Sequence, residues 1–393
     1  MLKNKNKCIT LVALVITIII LLILAGISIS ALTNTGIFGK AKDAKNASEN
    51  AEKEQKQTLS EYEKELNKYT AQELTNDKVN KVLSETENTI LKDVNGNIFT
   101  LPAGFKITGD ATTVDKGIII EDATVDSNGN ATPTNGSQFV WVPVGEITKT
   151  DGTKTEIKLN RYIFASDGTP IEKNEDVIGP YYQELATSDK GNTVAKNITN
   201  FKNSVKENGG YYIGRYEART GTKRTAAGNA LTQITEKGTD QVYNYVTQQQ
   251  AAERAQGMYT SNNFTSDLMN SYAWDTAITF IQNCTDKTNY ANQNSLNTSL
   301  SQTGTTNDNP CNIFDMASNV LEWTTETSSN SNDPRVLRGG SCNSSNNYTS
   351  VRGIDLTSNS NYHMGFRPLL YLQNWTLKPL LNHINKKLLS VKI

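Results

Sequence analysis

The alternation of apolar and polar positions divides the chain into five stretches. After Lys3, Lys5 and Lys7, the run from Ile9 to Leu32 is uncharged and mostly apolar. As a helix rising about 1.5 Å per residue, it is long enough to cross a hydrocarbon layer of roughly 30 Å. Lysines on the short leading side then place the N-terminus in the cytoplasm and export the rest. Residues 1–38 are therefore expected to be a stub and a transmembrane helix, with a cleaved secretory signal as the competing reading. From Gly39 to about Leu74 the chain is rich in Ala, Lys, Glu and Gln, and Leu59, Tyr62, Leu66 and Tyr69 recur at helical steps. That stripe predicts a helical stalk over residues 39–89.

Residues 90–138 read as a β-rich connector. Asn95-Gly96 lies between Leu91–Val94 and Ile98–Leu101, a short-range hairpin signal, and Asn128-Gly129-Asn130 marks a second turn after the strand at Gly117–Ile120. A head is expected over residues 139–372, opening with the strand Phe139–Val144. One sequence does not decide whether the connector is a separate domain or the first strands of that head. Within the head Thr247 is a plausible N-cap, and Trp274, Ala277, Ile278 and Ile281 share one helical face suited to a core. In the tail, residues 373–393, Leu377, Leu380, Leu381, Ile384, Leu388 and Val391 share a face ringed by lysines. It is expected to pack on the head or to touch an anionic surface.

Composition removes several function classes. A net charge of −1 and a pI near 6.2 leave no electrostatic footprint for nucleic acid. The two histidines, His363 and His383, cannot make an iron-binding cluster, and no zinc spacing, nucleophile elbow or phosphate loop occurs. Cys8 falls in the anchor region, so Cys284, Cys311 and Cys342 allow at most one intrachain disulfide and leave an odd thiol.

Three linked motifs carry the chemistry: Asn312-Ile313-Phe314-Asp315-Met316-Ala317-Ser318-Asn319-Val320-Leu321-Glu322-Trp323, then Arg335-Val336-Leu337-Arg338-Gly339-Gly340-Ser341, then Gly365-Phe366-Arg367. In order and spacing they resemble the formylglycine-generating enzyme (sulfatase-modifying factor) family. That resemblance implies a C-type-lectin-like head and an α+β fold behind the N-terminal helix and stalk. Catalytic members hold copper with two cysteines after the Gly-Gly-Ser motif, and those positions fall here on Ser344 and Thr349. Hydroxyls do not replace thiolates as soft ligands, so no copper and no catalytic residues are expected. The resemblance also implies a structural Ca²⁺ at the first motif, held by the side chains of Asp315 and Glu322 and the carbonyls of Ser318 and Val320. The alternative is that Asp315 and Glu322 only cap and cross-link the loop.

A second resemblance lies at the N-terminus. Cys8-Ile9-Thr10-Leu11-Val12-Ala13-Leu14-Val15 before a Leu/Ile-rich helix is similar to the leader region of type IV pilins. It departs from them where Cys8 replaces the usual Gly and Ala13 the usual Glu. A plain membrane anchor is favoured over a pilin-like filament subunit.

Between the second and third motifs runs an Asn-, Ser- and Tyr-rich stretch, residues 342–364. It is similar to the variable regions of retroelement-diversified proteins, which use the C-type-lectin-like fold to present a changeable face. The expected ligand-binding residues are Cys342, Asn343, Ser345, Asn346, Asn347, Tyr348, Ser350, Asn361, Tyr362 and His363. Tyrosines supply rigid contact area there and Asn and Ser supply adaptable hydrogen bonds, the mixture found in paratopes. The expected whole is a single-pass membrane protein displaying a catalytically silent head outside the cell, with a protein or glycan ligand. A cofactor-using modifying enzyme and a pilin-like structural subunit are the alternatives.

Overall fold

Strands dominate because the apolar runs of the head are short, rich in Val, Ile, Tyr and Phe, and punctuated by Asn-Gly and Asp-Gly turns. The computed structural model describes residues 42–51, 71–173, 177–179, 181–182, 195–220, 238, 240–295, 297–330 and 332–373. Residues 42–51 form a helix in the first of two units, Met1–Glu65; all else concerns the second, Leu66–Ile393.

The elements that position the site are, in chain order, β1 (Phe105–Thr108), β2 (Ile119–Val125), β3 (Ala131–Pro143), β4 (Arg161–Phe164), β5 (Pro170–Lys173), α1 (Ile198–Asn208), β6 (Gly210–Gly214), α2 (Gln248–Gln256), β7 (Phe264–Leu268), α3 (Ser271–Cys284), β8 (Leu321–Ser328), β9 (Arg335–Arg338), β10 (Arg352–Asp355), β11 (Met364–Phe366) and β12 (Pro368–Leu372). One six-stranded sheet runs β7-β12-β6-β3-β2-β1. The other is centred on β8, which pairs antiparallel with β9 and parallel with β11, while β10 follows β9. Strands β4 and β5 form a separate hairpin. Because β1, β2 and β3 lie in one sheet with β6, residues 105–143 are built into the head.

Both N-caps that position the site helices are chemically explicit. Thr247 and Gln250 form a reciprocal capping box on α2, and the Asn270 side chain accepts the Ala273 N–H at the start of α3. Trp274, Ala277, Ile278 and Ile281 all lie in the core as expected, but α3 is buried on nearly every face. The Asn95-Gly96 hairpin also forms, joining Thr89–Lys92 to Ile98–Leu101 with Gly96 at φ +86°.

Three expectations need correction. The fold is mainly β with short helices, not α+β. The stalk does not continue to residue 89: Gln72–Glu73 pairs in parallel with Leu91 and Lys92, and Asn76–Lys78 is a 3₁₀ turn. There Ser84 Oγ accepts the Thr86 and Glu87 N–H groups, so local side-chain bonds compete with helix. The single-pass localisation is not supported either: among the described residues no helix is long and apolar enough to cross a membrane. The 14-residue α3 spans only about 21 Å at 1.5 Å per residue. The apolar run Ile9–Leu32, stalk residues 52–70 and the tail from 374 to 393 lie outside the described residues.

Candidate binding face

The scaffold under residues 342–364 is built from the three motifs. The 312–323 segment turns tightly, with Asn312, Asp315 and Asn319 all at φ between 63° and 66°. Gly340 must lack a side chain because a Cβ there would stand 1.9 Å from the Ala317 carbonyl oxygen. The Arg-Gly-Gly-Ser motif is therefore the seat on which this turn rests. Trp323, fully buried, donates its indole N–H to the Val246 carbonyl at 2.8 Å and fixes β8 to the entry of α2.

Two buried ionic assemblies hold the sheet to its surroundings. In the first, Arg367 donates to both Glu322 oxygens at 2.7 and 3.1 Å, to Gly214 O at 2.8 Å and to Phe314 O at 2.6 Å, which makes the third motif a bolt through the first. In the second, Asp275 of α3 and Glu326 of β8 face Arg161, Arg338 and Arg352. Arg352 reaches Asp275 at 2.5 Å, Glu326 at 2.9 and 3.1 Å and the Tyr162 carbonyl at 3.2 Å. Arg338 meets Asp275 at 2.5 Å, and Arg161 bonds Glu326. Burial works to raise the Asp275 pKa, but Arg338 and Arg352 outweigh it and hold the carboxyl below its ordinary value. Sequence reasoning misses these residues as a group, since contacts spanning up to 190 positions leave no local pattern.

Over this frame the backbone of the 342–364 stretch is tied at many points. Cys342 N–H donates to Asn319 O at 2.8 Å, Thr349 N–H to Gln293 O at 3.1 Å and Ser350 N–H to Ala291 O at 2.9 Å. The Trp274 indole bonds Thr349 O at 2.9 Å, Tyr245 N–H bonds Asn361 O at 3.0 Å, and the Asn244 amide bonds Tyr362 O at 2.7 Å. The side chains behave differently. Asn343, Ser345 and Asn346 are exposed, Tyr348 and Tyr362 remain 37% and 38% exposed, and Ile354 and Leu356 show 36% and 47%. Tyr362 Oη donates to Asn343 Oδ1 at 2.8 Å, which brings the two ends of the stretch together.

The expected binding residues divide accordingly. Asn343, Ser345, Asn346, Tyr348 and Tyr362 point to solvent, while Asn347, Ser350, Asn361 and His363 are partly buried. Cys342 is buried, and burial pushes its thiol up to about 11, so it belongs to the support. His363 packs edge-on against Tyr362 at 5.0 Å, and burial holds its imidazole below the ordinary pKa against the opposing pull of Asp355. Ile354 and Leu356 are additions to the expected set, and two aliphatic residues in an Asn/Ser-rich run are the sequence signal that marks them. At the positions where the family's copper ligands would fall, Ser344 is partly buried and Thr349 fully buried.

The four positions expected to hold calcium lie together on the motif turn and are all inaccessible to solvent or nearly so. Asp315 accepts from Thr306, from Ser318 Oγ at 3.1 Å and from Gly304 N–H at 3.3 Å. Nearby Glu217 accepts from Val320 N–H at 3.0 Å and Asn319 Nδ2 at 2.5 Å. Burial pushes Glu217 well above its ordinary range, with Asp315 and Glu322 adding to the rise, and burial likewise raises Asp315 and Glu322. The donors are all oxygen and the buried carboxylates outnumber Arg367, which suits a hard cation. Among the described residues no three His, Cys, Asp or Glu side chains are grouped to hold a metal, so such an ion would need main-chain carbonyls. Cys284, Cys311 and Cys342 are all free.

Residues 242–370, which contain all three motifs, match the sulfatase-modifying factor enzyme 1-like domain. No curated protein matches the chain. Among solved structures, Treponema denticola variable protein 1 aligns at 12% identity over 61% of this chain and 97% of its own, with a TM-score of 0.33. Two forms of a major tropism determinant, the M1 and I1 variants, each align at 15% identity and a TM-score of 0.30. They cover 77% and 76% of this chain and 86% and 85% of their own.

Proposed function

We propose that the chain is a ligand-binding protein in which a sulfatase-modifying-factor domain, without its family's chemistry, carries a recognition face on residues 342–364. One observation carries this reading: the backbone of that stretch is fastened to α3, β8 and the 291–295 segment, while Asn343, Ser345, Asn346, Tyr348, Ile354, Leu356 and Tyr362 project outward. A face of this kind changes its side chains without changing its shape. The seven projecting side chains are all uncharged; the neighbouring Asp355 is partly buried and bonded by the Asn359 amide at 2.9 Å, and Arg352 is paired with Asp275 and Glu326. Binding then rests on aromatic and aliphatic contact area with amide and hydroxyl hydrogen bonds around it. Asp315 and Glu322, with the Ser318 and Val320 carbonyls, would hold a structural Ca²⁺ that neutralises the buried acid beneath the face.

The reading extends to diversification of these side chains by a retroelement. The test is to sequence the codons of residues 338–368 in many cells of one population. Substitutions confined to adenines and concentrated at the exposed positions, sparing Thr349, Arg352 and Met364, are expected. A uniform sequence overturns diversification. Oxygen-dependent conversion of a cysteine peptide by the copper-loaded protein overturns the catalytically silent head.

A further inference from the structure

Away from the proposed face, a cavity of about 400 Å³ is lined by Cys284, Cys311, Asp115, Lys116 and Asn312 among others. Cys284 is the last residue of α3, and Cys311 sits in the Pro310–Asn312 turn that leads into the motif segment. The end of α3 packs against this turn. Cys311 is held at φ 49°, ψ 34°, a left-handed conformation uncommon outside glycine and asparagine. The clamp on it is visible: the Asn312 amide donates to Lys116 O at 3.0 Å and Gly117 O at 2.9 Å, and a Cβ on Gly117 would lie 2.0 Å from Cys311 O. The turn is thus fixed, and both cysteines are lining residues of the same cavity. The thiol of Cys311 makes a long contact, 3.8 Å, to the Asp115 carbonyl.

We propose that Cys284 and Cys311 form a reversible disulfide that staples the end of α3 to the entrance of the 312–323 turn. The oxidant is a small-molecule disulfide such as glutathione disulfide, entering through the cavity. One protein thiolate attacks it and releases one small thiol; the second protein thiolate then attacks the mixed disulfide and releases the other. Two protein S–H bonds are exchanged for one S–S bond, and the two protons end on the two small thiols. Burial pushes Cys284 up to about 12 and Cys311 well above its ordinary value, so exchange is slow at neutral pH and faster in mild alkali. This staple is independent of ligand binding.

The test uses the full-length chain with its four cysteines, incubated with glutathione disulfide in mildly alkaline buffer and then mapped without reduction. A peptide joining Cys284 to Cys311, lighter by two hydrogens than its reduced parts, is expected. Two of the four thiols should disappear together, and the unfolding midpoint should rise by several degrees and return on reduction. Cys342→Ala should leave the yield of the joined peptide unchanged, while Cys284→Ala should abolish it. Glutathionylation of either thiol without the joined peptide overturns the proposal, as does pairing of either cysteine with Cys342.

Discussion

Replacing Glu326 with Gln tests the charge balance of the buried assembly that anchors the recognition stretch. Three guanidiniums, Arg161, Arg338 and Arg352, face two carboxylates, Asp275 and Glu326. Glu326→Gln leaves three positive charges against one negative, whereas Arg352→Met leaves two against two. Breaking a buried pair by removing one partner costs about 3–5 kcal/mol. Glu326 touches all three arginines, so its loss should sit at the top of that range, about 5 kcal/mol. Arg352→Met keeps an apolar stem and a neutral cluster, and should cost about 2 kcal/mol, nearer an ordinary buried substitution. The double variant should recover part of the larger loss, because the surplus cation goes with its missing partner. Urea unfolding followed by circular dichroism, on the four proteins of this cycle, gives the comparison. An equal or smaller cost for Glu326→Gln than for Arg352→Met would refute the charge argument.

Other outcomes rest on single contacts. Burial raises Asp267 to about 6 although Lys196 N–H, Leu268 N–H and the Gln256 amide all donate to it. Its folded pKa lies above its unfolded value, so the folded state holds the proton longer and stability falls as pH rises from about 4 to 6. The loss is about 3 kcal/mol, and Asp267→Asn should flatten that part of a stability–pH profile. Gly340→Ala should prevent folding, given the 1.9 Å approach to Ala317 O, and a normal circular dichroism melt would count against the seat described for the motif turn. Calcium should raise the melting temperature by a few degrees over chelator, and Glu322→Gln should remove the increment; equal melts in both buffers would dismiss the ion. Tyr348→Ala with Tyr362→Ala should shift stability by no more than about 1 kcal/mol, since both side chains stay more than a third exposed, so a larger loss would place them in the support.

Much of the frame was legible because its motifs encode backbone necessity. Gly340 has no room for a side chain, Gly96 sits at positive φ, and Thr247 caps a helix start, all of which obey local rules. Helix extent was not legible. The stretch after residue 70 has helix-favouring composition in part, yet Gln72 and Glu73 gain sheet bonds from the Leu91 strand, a partner that composition does not reveal. Asp275 reads as a polar helix position and would ordinarily face water. It is buried because Arg338 and Arg352, more than sixty positions downstream, converge on it. Cys342 is buried for a similar reason: its N–H is drawn inward by Asn319 O, and that turn is shaped by positive φ values invisible in composition.

Strand β8 has β9 on one side and β11 on the other. The chain between them therefore leaves and returns to the same strand, with both ends clamped about two strand spacings apart, roughly 10 Å. Lengthening such a closed excursion beyond β10 costs closure entropy of about 0.6 kcal/mol for each doubling, together with the local bonds of Asn359 to Asp355 and Leu356. Foreign peptides spliced between Leu356 and Ser360, beyond the Arg352 anchor and before β11, would be carried as cargo without altering the register of either flanking strand.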